Sequence, residues 1–169
     1  MDDEAVVARQ LRRAPRAFRR VAARCPFGFP AVTEQAPYDG DGEPFPTTYY
    51  LTCPHLVAAL ARVEAAGGVE RWSTAAEEDP ALAASLAAAT EDQRAVRREL
   101  AGSRRGRDGG VSLDLGIGGS GNPARLKCLH AHAAFALARP GYVLGERILA
   151  ELDPLWPARC CSEALTADR

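Results

Sequence analysis

The spacing of apolar and polar positions changes several times along the chain, and each change marks an element. Residues 3–13 repeat apolar positions at helical spacing until Pro15 interrupts them. Proline is tolerated in a first helical turn, so a second short helix is expected over 15–23. From residue 25 the helical period gives way to Pro, Gly, aromatic and β-branched residues. Phe29–Thr33 and Thr47–Thr52 read as short strands. Between them, Pro37 to Pro44 is dense in turn formers and reads as a hairpin turn. Its acidic residues lack the remaining ligands, including the closing Glu, of a calcium loop.

A helix is expected from Pro54, capped by Thr52 or Cys53, with Leu56, Leu60 and Val63 on one face and Gly67-Gly68 as its stop. Residues 72–110 read as a variable insertion. It contains an alanine-rich stretch, a capping-box pattern at Thr90-Glu91-Asp92-Gln93 and an Arg/Gly-rich link at 102–110. Alternation over Val111–Leu115 suggests a third strand. Asn122 and Pro123 are a strong helix start, so a helix is expected from there to Ala138, stopped by Pro140-Gly141. A last helix is expected over about 143–152, and the tail, residues 158–169, should be loose.

Together these elements make a single α+β domain: a sheet of three short strands (residues 29–34, 47–52 and 111–116) covered by helices. Its core would come from about 4–71 and 111–157. A length of 169 residues suits one domain. Apolar residues at 47% and charged residues at 25% fit a folded chain with a real core. The formal net charge of −1 argues against a dedicated nucleic-acid binder, which would be clearly basic. No apolar run approaches the ~20 residues of a membrane span. The acidic start Met1-Asp2-Asp3-Glu4 is unlike a secretory signal, so the expected location is the cytoplasm. There thiols stay reduced, and the five cysteines point to metal ligation, catalysis or burial before disulfides.

Cationic side chains cluster early, at Arg9, Arg12, Arg13, Arg16, Arg19, Arg20 and Arg24. A solvated helix face is the favoured reading, with a docking patch for an anionic partner as the other. Candidate chemistry centres on Cys25, Cys53, Cys128 and His132. On a helix, Cys128 and His132 lie four apart and share a face, whereas His130 projects nearly opposite, toward packing or solvent. Cys53 sits where a helix N-terminus stabilises a thiolate. Three sulfurs and one imidazole suit zinc; an iron–sulfur cluster is the other metal option. The competing readings are plain burial of the cysteines, and covalent chemistry with Cys53 as nucleophile and His132 or His55 as base. A second candidate is the turn at Gly118, Gly119, Ser120 and Gly121, whose N–H groups, with Lys127 one turn on, could hold an anion.

Two long blocks carry a resemblance: Arg24 to Val32 (RCPFGFPAV) and Pro44 to Leu56 (PFPTTYYLTCPHL). Gly116-Ile117-Gly118-Gly119 and Lys127 to Ala133 (KCLHAHA) extend it. With these the chain, over about residues 4–157, resembles the chiefly actinobacterial family of domains of unknown function numbered 501. The family carries no agreed activity. The resemblance implies a gene neighbourhood with a septum-formation initiator and an exopolyphosphatase. Two expectations follow: a metal-binding protein, with or without catalysis, or a non-enzymatic interaction module linked to cell division or polyphosphate metabolism.

Overall fold

The computed structural model describes residues 1–162. Helix α1 (Asp3–Leu11) is capped by Asp2, whose carboxylate accepts the Ala5 N–H at 3.1 Å, and Asp3 and Glu4 complement its dipole. The chain then forms an antiparallel meander of β1 (Phe18–Arg24), β2 (Pro30–Gln35) and β3 (Tyr49–Leu51), in the spatial order β1-β2-β3. Helix α2 (Pro54–Ala65) follows with proline in its first turn, then α3 (Gly68–Glu78) and α4 (Pro80–Ala101). Two single 3-10 turns, Val111–Asp114 and Ile117–Gly119, lead to α5 (Leu129–Ala138) and α6 (Val143–Ala150). The α+β class and the three-stranded sheet are as expected. Among the described residues, no helix is long and apolar enough to cross a membrane.

One strand is not the expected one. Residues 18–24, read as part of a helix, form β1, and residues 111–115, read as a strand, form a 3-10 turn. The reason is pairing. β2 has two edges, and β1 and β3 take both. The Arg19 and Arg20 guanidiniums meet the buried Glu34 of β2 at 3.3 and 2.7 Å, which favours the extended register. At the other site Gly109 and Gly110 both take positive φ, and the Asp108 carboxylate accepts the Gly110 and Ser112 N–H groups, curling the chain.

The Thr90–Gln93 pattern lies inside α4 and starts nothing; the cap is Asp79, which accepts from Ala81 and Leu82. Through Leu82, Leu86 and Ala89 this helix joins the main core. Its Arg97 is wholly buried, donating from Nε to Ser112 O at 3.1 Å and from Nη1 to Phe45 O at 3.0 Å, so it ties the approach to β3 against α4.

Helix α5 is the centre of the molecule. It is apolar nearly all round and buried from Ala131 to Ala136, packed between α6, α2 and β3. Gly145 lets α6 approach: a Cβ there would lie 2.7 Å from Ala136 Cβ and 2.8 Å from His132 O. The start of α5 differs from expectation. Asn122-Pro123 opens only a turn, and the helix begins at Leu129 with Cys128 as an extended cap at φ −156° and ψ 145°. Two distant side chains fix this: Ser73 Oγ accepts the Leu126 N–H, and Glu64 Oε1 accepts the Leu129 N–H at 2.6 Å.

Candidate functional site

That late start decides which side chains meet. Cys128, as the cap, turns its sulfur over the first turn, where it accepts the Ala131 N–H at 3.4 Å. His130 follows within the same turn. Its ring lies against α2, with Nε2 3.0 Å from Val57 O and Nδ1 3.1 Å from Glu64 Oε1. Val57 and Glu64, seven residues apart, share one face of α2. Ligand atoms of Glu64, Cys128 and His130 all lie within 4.8 Å of one another, each residue part-buried.

Both ring nitrogens face acceptors. A carbonyl oxygen only accepts, so Nε2 carries a hydrogen toward Val57. Nδ1 then faces the Glu64 carboxylate, and a neutral ring would set its lone pair against the oxygen's. Without a metal ion this arrangement favours the protonated ring. Its hydrogen bond to Cys128, helped by Val57 and Glu64 and opposed by burial, raises its pKa from 6.5 to about 9. A cation in the place of the Nδ1 proton would satisfy the same three atoms. A cleft of about 330 Å³, lined by Thr47, Tyr49, Tyr50, Leu51 and Val57, opens onto Cys128 and His130.

Of the ligands expected from sequence, the cluster contains Cys128 alone. His132 is buried in the core, its Nδ1 2.7 Å from the Tyr142 hydroxyl, and burial pushes its pKa down to about 3. The expected Cys128–His132 face assumed a helix running through residue 128, whereas the helix begins after it. Cys53 caps α2, but its sulfur lies 3.7 Å from Cys161, and Cys25 lies beside Cys160; all of these thiols are free. His55 faces Pro154 O at 3.3 Å. In the glycine turn, Gly116 N–H donates to Ser120 O and Lys127 Nζ reaches Gly119 O at 3.5 Å; the segment leads into irregular chain and not into the helix expected there. Sequence reasoning passed over Glu64 and His130. The available signal was Lys127-Cys128-Leu129-His130: with a capping cysteine, the residue two positions later lies in the first turn beside it.

Fold and cluster together define a helix-rich α+β domain with a three-residue Cys–His–Glu centre beside a cleft. The chain belongs to the family described as "Protein of unknown function (DUF501)", whose model matches residues 21–150. No curated protein and no solved structure matches it.

Proposed function

We propose that Cys128, His130 and Glu64 hold one divalent metal ion, zinc by the character of the donors, with a coordination position facing the cleft. The observation behind this is the His130 ring held between acceptors: Val57 O accepts the Nε2 hydrogen, which orients the ring and leaves Nδ1 for a metal. One sulfur, one imidazole nitrogen and one carboxylate oxygen suit zinc, whereas an iron–sulfur cluster takes mainly thiolates. Three protein ligands beside an open cleft are the pattern of a catalytic rather than a closed structural zinc site. A bound zinc would acidify a water at the open position. Thr47 and the two tyrosines of the cleft are the groups placed to orient what binds beside it.

The alternative, a docking module acting through the N-terminal arginines, has less support. Arg16 pairs with Asp39, Arg19 and Arg20 with Glu34, and Arg24 with Asp3, so four of those charges are answered within the chain.

The test is cobalt(II) substitution in the full-length protein. The proposal expects one equivalent bound with a thiolate-to-cobalt absorption band. That band should be lost in Cys128→Ser and His130→Gln but kept in Cys53→Ser and His132→Gln. A full band in Cys128→Ser, or no metal uptake by the wild type, overturns it.

A further inference from the structure

The four remaining cysteines converge where the C-terminal tail crosses the start of α2. Cys161 Sγ lies 3.7 Å from Cys53 Sγ, and Cys160 lies beside Cys25. Local bonds place the tail: the Ser162 N–H donates to Cys160 Sγ at 3.4 Å, and Gln10 Nε2 donates to Ser162 Oγ at 2.9 Å. Cys160 and Cys161 are chain neighbours, yet each faces a different partner. The arrangement is two thiol pairs.

The pairs differ in access. Cys25, Cys160 and Cys53 are buried, at 9%, 8% and 3% exposure, whereas Cys161 is partly open to solvent. We infer that Cys161 and Cys53 are a dithiol that a low-molecular-weight disulfide converts to a protein disulfide, with Cys161 the thiol that reacts first with the reagent and Cys53 the resolving thiol. In the first step the Cys161 thiolate attacks one sulfur of the small disulfide. The S–S bond of the reagent breaks, its other half leaves as a thiolate, and Cys161 carries a mixed disulfide. In the second step Cys53 attacks the Cys161 sulfur. The Cys53–Cys161 bond forms, and the second small thiol leaves, taking up the proton that Cys53 gives up. Two protein thiols are oxidised, and one small disulfide is reduced to two thiols.

The geometry assigns these roles. The resolving sulfur is already in contact at 3.7 Å, so closing to the ~2.05 Å of a disulfide needs only a short shift of the two side chains. Burial pushes the Cys53 thiol up to about 12, which makes it a poor first attacker. Its place at the N-terminal cap of α2 puts the positive end of the helix dipole beside the charge that develops as it attacks. The product joins residue 161 to the cap of α2.

The test is treatment of the full-length protein with oxidised glutathione, read by intact mass and by peptide mapping without reduction. The inference expects a Cys53–Cys161 cross-link in the wild type that dithiothreitol reverses. Cys53→Ser should accumulate glutathione on Cys161, and Cys161→Ser should leave Cys53 unmodified. Three results would overturn it: a stable glutathione adduct on wild-type Cys161 with Cys53 free; oxidation of Cys53 in Cys161→Ser at the wild-type rate; or a metal ion retained on these thiols in Cys128→Ser that blocks the cross-link. None of these readouts depends on a metal at Cys128 and His130, so the two proposals fail separately.

Discussion

His130 and His132 stand two residues apart in one helix and live in opposite environments. His130, at the rim, is surrounded by acceptors and held in its charged form. His132, one step into the core, has a single neighbour on Nδ1, the Tyr142 hydroxyl, and burial keeps it neutral. Its Nε2 is buried and has no hydrogen-bond partner among the described residues. The contrast teaches that a histidine's role here is set by depth along the helix and not by proximity in sequence. A group at the first turn can exchange a proton or an ion with solvent, while one a half-turn deeper can only pack.

The sharpest way to break the contrast is to truncate each ring. His132→Ala removes a wholly buried side chain and orphans the Tyr142 hydroxyl, so we expect a loss of about 2–4 kcal/mol in urea unfolding. His130→Ala, at the rim, should cost less than that when measured above pH 9, where the ring's charge no longer contributes, yet abolish metal uptake. Equal losses would show that the two sites are not distinct in depth. Next in size is the effect of zinc. At a free concentration a hundredfold above Kd it should stabilise the wild type by about 2.7 kcal/mol, and Cys128→Ser by nothing. Unfolding midpoints with zinc and with a chelator check this.

Of comparable size, and of opposite sign at the two rings, is the response to pH. His130 has a folded pKa raised from 6.5 to about 9. In the metal-free protein its contribution is therefore complete below pH 6.5 and lost as pH rises through about 9. His132 has a folded pKa lowered from 6.5 to about 3. Stability at that ring is lost as pH falls below 6.5, because the unfolded chain takes up a proton that the folded one refuses until about 3. Metal binding should invert the alkaline limb, since a ligating ring must be unprotonated and affinity grows toward pH 9. Thermal melts across pH, with and without zinc, would separate the two limbs. The smallest effect sets the zero of the scale: changing Arg12, Arg16 and Arg19 together to Gln should cost about 0–1 kcal/mol, because the guanidiniums are exposed and Arg20 still pairs with Glu34. A loss as large as that of His132→Ala would make those arginines part of the core architecture.

What could be read from the chain alone followed locality. β2, β3, α2 and α6 lie where apolar spacing and the Pro and Gly signals placed them, because each is specified by its own residues. The errors arose where a distant group overrides the local signal. Asn122-Pro123 is a good helix start, but Ser73 and Glu64 supply caps further along, and no property of residues 122–128 announces them. The same shift turned His130 toward α2 and His132 into the core. β1 was hidden because seven residues with three arginines match helix and strand about equally until Glu34 supplies a buried partner. Cys160 and Cys161 looked incidental because their partners are more than a hundred residues upstream, Cys161 being 108 from Cys53.

The position of β1 at the border of the sheet has a consequence for how copies of the protein meet. An open strand border offers unpaired backbone groups to any other chain, and stacking of such borders is a route to aggregation. Here that border carries Arg19, Arg20 and Arg24, all well exposed, while the opposite border, β3, is only three residues long and lies under α5. Two molecules approaching border to border would have to strip water from these long, exposed side chains, each already held by a carboxylate of its own chain, before any hydrogen bond could form. Charged side chains of this kind make a strand border a poor template for a second sheet.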